Sequence, residues 1–107
     1  MRVELTPDVF SAIATPVRRD IIRRLAAENN QTITTLASFY PMSRQAVTRH
    51  IKVLHETGVI SMHKDGREQI CHFQAQALKD VYDWVKFYEQ FWDDKLDRLG
   101  EFLAAED

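Results

Sequence analysis

This chain of 107 residues has little of what several protein classes depend on. Its one cysteine, Cys71, cannot form a disulfide within the chain, which argues against a disulfide-stabilised secreted fold and fits a reducing cytoplasm. No apolar run approaches the roughly 20 residues of a membrane span, and the N-terminus M-R-V-E-L-T-P-D lacks the apolar core of a signal peptide. We therefore predict a cytoplasmic protein with one domain over residues 1–107 and one modest core.

Patterns typical of enzymes and metal sites are also missing. The sequence has no Gly-rich phosphate loop, no recognisable carboxylate pair and no Cys-His or Ser-His pattern, so we predict neither catalysis nor a cofactor. No histidine follows His72, so the C-terminal carboxylates lack the nitrogen ligand that zinc sites generally use. Glu89, Asp93 and Asp97 recur every four residues, which is typical of a solvated helix face. A weak site for a hard cation is the alternative for this row. We therefore predict no metal site.

Charge is divided unevenly along the chain, although the formal net charge is only −2. Residues 41–67 hold five Lys or Arg and two Asp or Glu, whereas residues 76–107 hold four and nine. A basic centre can contact phosphate while an acidic C-terminal segment stays away from it.

Two Thr-Pro pairs predict the starts of the first two helices, since Thr is a favourable N-cap and Pro suits the first helical position. Thr6-Pro7 begins a short helix over about residues 7–14, and Thr15-Pro16 begins a second helix. Four arginines of the second helix are expected on its solvated side, opposite the apolar stripe. They are Arg18, Arg19, Arg23 and Arg24. The alternative is that one or two of them contact phosphate.

A short strand at Thr32-Ile33 is expected before a third helix, which begins at Thr34 or Thr35. Pro41 ends that helix, because the residue before a proline is disfavoured in helical geometry. Ser43 then caps the next helix. Two helices joined by so short a turn predict a helix-turn-helix.

The fourth helix, predicted over residues 43–57, is amphipathic, with Val47, Ile51 and Leu54 toward the core. Its other side suits DNA, because Gln pairs with adenine and Arg with guanine in the major groove. His50 lies nearer the core stripe, so either a phosphate contact or a buried structural role is open. An ordinary amphipathic helix is the alternative for the whole element. The candidate DNA-binding residues are Ser43, Arg44, Gln45, Thr48, Arg49, His50 and Lys52.

A β-hairpin follows directly and predicts a wing over residues 59–73. Asp65-Gly66 is a strong signal for a type I′ turn. That turn would set Ile60 opposite Cys71, so Cys71 is expected to be half-buried packing, with a redox role as the weaker alternative. The wing residues expected to contact DNA at the tip, where they lie opposite each other, are Lys64 and Arg67.

Residues 75–104 are predicted to form one long helix with two apolar stripes. A domain of this size cannot cover both, so the excess of large aromatics predicts a partner helix in a symmetric homodimer. The alternative is that these aromatics close the chain's own core. The predicted interface residues are Phe10, Ile13, Trp84, Phe87 and Phe91.

Three segments carry a resemblance to a known family. They read T-P-V-R-R-D-I-I-R-R-L, S-R-Q-A-V-T-R-H-I-K-V-L-H-E-T-G-V-I and K-D-G-R-E. Together they resemble the ArsR/SmtB family of winged-helix repressors over about residues 9 to 100. The resemblance implies a mainly α fold with a small β-hairpin, a winged helix-turn-helix with a long C-terminal dimerisation helix. It also implies a homodimer that binds palindromic operators in double-stranded DNA and leaves them when an inducer arrives.

The chain departs from the metal-sensing members of that family. They carry a Cys-x-Cys pair where this chain has Thr32 and Thr34. It therefore resembles the members that do not sense metals, and the inducer stays unknown.

The sequence thus predicts a DNA-binding transcriptional regulator, a dimeric repressor that reads an inverted repeat with helix 43–57 and wing 59–73. The alternative from another class is a winged helix used for protein–protein contacts, in which the basic helix is incidental. A strongly salt-dependent DNA affinity would separate the two, because each phosphate contact releases counterions.

Overall fold

Short polar side chains cap the helices of the computed structural model, which describes residues 8–105. The Asp8 carboxylate accepts a hydrogen bond from the Ser11 N–H at 3.0 Å, and Ser43 Oγ accepts one from the Ala46 N–H at 3.1 Å. The cap predicted at Thr6-Pro7 lies outside the described residues. The helices are α1 (Val9–Ala12), α2 (Pro16–Ala27), α3 (Ile33–Ala37), α4 (Arg44–Glu56), a 3-10 turn (Ala75–Leu78), α5 (Lys79–Glu89) and α6 (Asp93–Ala105).

The third helix begins earlier than predicted. Thr32 Oγ1 accepts a hydrogen bond from the Thr35 N–H at 3.0 Å, so Thr32 is the N-cap and α3 starts at Ile33. The predicted start at Thr34 or Thr35 is therefore wrong. The N-cap residue stands just before the helix, so a cap at Thr32 places the first helical residue at position 33. The short strand before it is Gln31–Thr32, one residue earlier than expected.

The core lies between α2, α3, α4 and the sheet. The predicted stripe of α4 is confirmed, since Val47, Ile51 and Leu54 are all buried. Leu36 of α3 and Leu25 of α2 are fully buried against it. α4 is thus held with one face in the core and the opposite face in solvent. None of the helices within residues 8–105 combines the length and apolar character that a membrane crossing requires.

The wing consists of β2 (Ile60–Asp65) and β3 (Glu68–Phe73), and β3 also pairs with β1 (Gln31–Thr32). The predicted register is wrong by two residues: Ile60 lies opposite Phe73, and Asp65 opposite Glu68. The turn is therefore Gly66-Arg67. Positive φ occurs at Gly66 but not at Arg67, which agrees with a type II′ turn, where only the first central residue needs it.

Cys71 pairs with Met62 on β2 and with Gln31 on β1, in the middle of the three-stranded sheet. Its side chain is fully buried, more than the half-burial expected. Burial raises the pKa of this thiol to about 11. A buried thiol that stays protonated behaves as a small apolar side chain.

The predicted single helix over residues 75–104 is wrong, because α5 and α6 are separated by a turn. The Phe91 N–H donates to the Tyr88 carbonyl at 2.9 Å, and the Trp92 N–H donates to the Glu89 carbonyl at 3.0 Å. These bonds reach back three residues instead of four, which tightens the chain and interrupts the α-helical ladder. Among the described residues of this region, the start packs on the core, through Ala77, Leu78 and Val81.

Candidate nucleic-acid interface

The solvent-facing side of α4 and its N-cap form a surface that we call the reading face. Its side chains are all exposed, because the α4 residues among them lie opposite the buried stripe. Within residues 8–105, the side chains of Arg44, Gln45 and Arg49 have no hydrogen-bond or ion-pair partner. Their donors and acceptors are therefore available to a ligand. The reading face consists of Ser43, Arg44, Gln45, Thr48, Arg49 and Lys52.

Besides Ser43, which caps α4 through the Ala46 N–H, two members of the reading face have partners within α4. Thr48 Oγ1 donates to the Arg44 carbonyl at 2.8 Å. Its only hydroxyl proton is thus used, so Thr48 can offer a ligand an acceptor lone pair and a methyl group. Lys52 Nζ lies 3.9 Å from Glu56 Oε1, an exposed ion pair of small energetic value that a phosphate could replace.

The turn between α3 and α4 is anchored to α2 through Asp20. Asp20 Oδ2 accepts hydrogen bonds from Tyr40 Oη at 2.8 Å and from Arg24 Nε at 2.9 Å. Both bonds lower the pKa of Asp20, and the bond from Tyr40 has the larger effect. The Arg24 guanidinium also lies 3.9 Å from the ring centroid of Phe39. The network ties the α3–α4 turn to α2. Arg24 belongs to this network and is not on a merely solvated helix face as predicted.

His50 was predicted either to contact phosphate or to have a buried structural role, and it is neither fully buried nor fully exposed. It is half-buried at the edge of α4, and its Nδ1 lies 3.2 Å from Nη1 of Arg18. Burial lowers the pKa of His50, and the Arg18 charge adds to the shift. Arg18 also donates to the carbonyl oxygens of Ala12 at 2.7 Å and Ser11 at 3.0 Å.

Arg18 was predicted to lie on a solvated helix face, and its contact with His50 was not predicted. Nothing in the α2 sequence distinguishes it from its neighbour Arg19, which is exposed and donates to the Ile13 carbonyl at 2.7 Å. Its partner His50 is 32 positions away.

The two basic residues of the wing lie near its tip, but they do not form the predicted cross-strand pair. Arg67 is in the turn, and Lys64 pairs with Gln69 on β3. Both side chains are exposed. The hairpin that follows α4 therefore presents two exposed cations near its tip, which suits contact with phosphate or a groove wall.

Two histidines lie next to each other in the wing, His63 on β2 and His72 on β3. His63 is exposed, whereas His72 is half-buried between His63 and the loop after α2. His63 Nδ1 lies 2.5 Å from His72 Nε2, and His72 Nδ1 contacts Asn30 Oδ1. Asn30 has a positive φ of 63°. Within the described residues no three His, Cys, Asp or Glu side chains are arranged to hold a metal ion.

Four of the five predicted interface residues have substantially exposed side chains. Ile13 is the exception, since it is half-buried and packs against the core. The exposed apolar surface continues along α6, where every described side chain is exposed. The exposed members of the predicted set are Phe10, Trp84, Phe87 and Phe91.

Comparison with known proteins agrees with this arrangement. A helix-turn-helix domain family matches residues 13–63. The chain is similar to the transcriptional repressor SdpR of Bacillus subtilis, with 28% identity over 78 residues, covering 73% of this chain and 86% of that protein. It resembles the crystal structure of an ArsR family transcriptional regulator, with 30% identity, a TM-score of 0.71, and coverage of 78% of this chain and 86% of the other.

A second solved structure, described as a "possible transcriptional regulator for arsenical resistance", has 33% identity and a TM-score of 0.72. The match covers 90% of this chain and 96% of that one. All three similar proteins are described as regulators or repressors of transcription, and none as an enzyme.

Proposed function

Since this chain belongs to the ArsR family of helix-turn-helix transcriptional regulators, we propose that it is a dimeric repressor that binds an inverted-repeat operator in double-stranded DNA. The observation that carries the proposal is the reading face, where Gln45 and Arg49 are exposed one helical turn apart and have no partner among the residues that the structure describes. These two side-chain types supply the bidentate contacts to adenine and guanine that direct readout uses.

The start of α4 supports a division between positioning and reading. Ser43 and Arg44 lie at the helix N-terminus, where free N–H groups and a cation favour a phosphate oxygen. Gln45, Thr48 and Arg49 occupy the first two turns, the part of a recognition helix that contacts base edges. Lys52 lies farther along, and its weak pair with Glu56 leaves it available to backbone phosphate.

The wing supplies the second contact. Lys64 and Arg67 are exposed near its tip, where Gly66 adopts the positive φ of the tight turn. Two exposed cations near a hairpin tip are suited to the phosphate backbone or the minor groove. We therefore assign α4 to sequence readout and the wing to sequence-independent attraction.

Dimerisation is supported by the helices that the core leaves uncovered. α6 has 13 residues, and its described side chains are all exposed. Isolated helices shorter than about 12–15 residues are marginal in water, so α6 needs a packing partner to be stable. We propose that α1, α5 and α6 of a second copy provide this partner. We also propose that residues 1–107 form a single domain. A two-fold axis would place two reading faces about 34 Å apart, one turn of DNA.

The repressor assignment rests on likeness to SdpR, a transcriptional repressor. A dimer seated on a promoter blocks transcription by occupying the site, which needs no further activity from the chain. The proposal carries no cofactor and no enzymatic step.

The test is selection of bound fragments from random double-stranded DNA, followed by binding of the enriched sequence at two salt concentrations. We expect an inverted repeat, and an affinity that falls with salt by a log–log slope of about −0.9 for each phosphate contacted. A matched control is the same repeat with one half-site scrambled. If no motif is enriched and affinity does not depend on salt, the winged helix is a protein-interaction module and the proposal is wrong.

A further inference from the structure

We propose that Arg18 is a positioning residue for DNA binding, which holds His50 in the tautomer whose Nε2–H can donate to a DNA phosphate and links that ring to α1. The inference deepens the proposed function and rests on it, since the phosphate is that of the operator. Arg18 itself is half-buried and reaches toward α1 and α4, so it has no direct role on the reading face.

The direction of the hydrogen bond between the two side chains follows from their chemistry. A guanidinium has only donors, so at 3.2 Å His50 Nδ1 must be the acceptor. A neutral imidazole carries one proton, and with Nδ1 unprotonated that proton is on Nε2. Arg18 thereby makes His50 an N–H donor at its other ring nitrogen.

The other two hydrogen bonds of Arg18 tie it to the C-terminal end of α1. Nε donates to the Ala12 carbonyl at 2.7 Å and Nη2 to the Ser11 carbonyl at 3.0 Å. The carbonyls at the end of a helix have no partner within that helix, so they hold the guanidinium firmly. Phe10, an exposed residue of the proposed dimer surface, belongs to the same short helix. A shift of α1 at that surface would therefore displace Arg18 and, through it, His50.

The surroundings of His50 keep the ring neutral. Arg18 is the charged side chain that contacts it within the described residues. α1 contributes only backbone carbonyls to this cluster, and the α4 residues one turn away are Ala46, Val47, Val53 and Leu54, all uncharged. Burial lowers the pKa of His50, with a further contribution from Arg18. Protonation at Nδ1 would remove the acceptor and place two cations in contact, so acid should release the ring from Arg18.

The first test is long-range ¹H–¹⁵N spectroscopy of the imidazoles in the full-length protein without DNA, at neutral pH. We expect a protonated Nε2 for His50 in the wild type and a mixture of tautomers in Arg18→Gln. Arg18→Lys keeps a cationic donor and should restore part of the Nε2–H form. If Arg18→Gln does not fold, the comparison is made with Arg18→Lys instead. Arg19→Gln is the matched control, because Arg19 caps the neighbouring Ile13 carbonyl and does not contact His50.

The second test is a double-mutant cycle in operator binding. Arg18→Gln and His50→Ala should each weaken binding by about tenfold, the value of one hydrogen bond to a charged group. In the His50→Ala background, Arg18→Gln should change the affinity by less than about twofold, since its effect passes through the missing ring. A purely structural role of Arg18 in capping α1 would instead give the same loss in both backgrounds.

Two results would overturn the inference: a wild-type His50 protonated on Nδ1, or an Arg18→Gln effect that is undiminished without His50. Failure of the wild type to bind any operator would contradict the proposed function instead, and the spectra of the free protein would still decide the tautomer that Arg18 selects.

Discussion

The rings of Phe10 and Trp84 meet edge to face, with their centroids 6.0 Å apart, and so join the first helix of the fold to α5. Neither ring is buried by this contact: 37% of Phe10 and 54% of Trp84 remain exposed. The ring centroids of Trp84 and Tyr88 are 4.8 Å apart, and those of Tyr88 and Phe87 are 4.9 Å apart. Residues from both ends of the chain therefore form one continuous aromatic surface.

Replacement of Trp84 and Phe91 by Ala together should weaken the dimer, because buried aromatic side chains dominate the energy of interfaces. We expect sedimentation of the wild type at micromolar concentration to give a dimer and the double variant to shift toward monomer. Phe39→Ala is the matched control, since Phe39 is an exposed aromatic on α3's side of the molecule. A wild type that sediments as a stable monomer would contradict the prediction.

Arg49→Ala should lower operator affinity by roughly 1–3 kcal/mol and relax the preference at one base position, because a bidentate contact to one base would be lost. Binding to a panel of operators with single-base changes measures both effects. Arg23→Ala, with the side chain 79% exposed on α2, controls for loss of one surface charge. If the base preference of Arg49→Ala matched that of the wild type at every position, this residue would not read a base.

Arg67→Ala at the wing tip should weaken binding to all sequences about equally. It should also reduce the salt slope by about 1, as expected for loss of one phosphate contact. The measurement is affinity for the operator and for a scrambled duplex at two salt concentrations. A changed base preference in this variant, with the salt slope unaltered, would exchange the roles that we assign to α4 and the wing.

Zinc, cadmium and arsenite should not release the protein from DNA at stoichiometric levels, given Thr32 and Thr34 at the start of α3. Thr32 is also engaged there as the helix cap. Titration of the preformed complex with each ion, against a chelator control, tests this. Dissociation near one ion per protomer would refute it and point to His63, Cys71 and His72.

The burial of Cys71 predicts a loss of stability at high pH. The pKa of its thiol is raised from 9.0 to about 11 in the folded protein, so the unfolded chain ionises first as the pH rises. Above pH 9 the unfolded chain therefore binds fewer protons, and the free energy of unfolding should fall by up to about 1.4 kcal/mol per pH unit. Below pH 9 the thiol stays protonated in both the folded and the unfolded chain, so its contribution to the free energy of unfolding does not change with pH.

Urea unfolding from about pH 7 to about pH 11 measures that slope. Tyr40, with a pKa raised to about 12 by burial, should contribute in the same direction only above pH 10. Cys71→Ala should be less stable than the wild type at neutral pH but should lose less stability between pH 9 and pH 10. Equal slopes in that interval for the two proteins would show that the thiol is not responsible.

The reading face was predictable because its signals are local. Ser43 caps α4 through the Ala46 N–H, three residues on. Val47, Ile51 and Leu54 recur with the helical period, so the orientation of α4 follows from its own sequence.

The wing register was not fixed by the same kind of pattern. A shift of one residue would have moved every apolar side chain to the other face, but a shift of two leaves Ile60, Cys71 and Phe73 on the face where they began. The apolar pattern therefore fits both registers, and Asp65-Gly66 and Gly66-Arg67 are both acceptable turns. Similarly, no Pro or Gly between Glu89 and Asp93 signals the break between α5 and α6.

In the proposed dimer, the exposed apolar face of α6 would make protein concentration a means of control. The helix would gain its stabilising contacts from the second copy, so the order of residues 93–105 would follow protein concentration by mass action. At low abundance α6 would fray and offer Leu96, Leu99 and Phe102 to proteases or chaperones. The amount of regulator in the cell would then set its lifetime, with scarce copies cleared fastest.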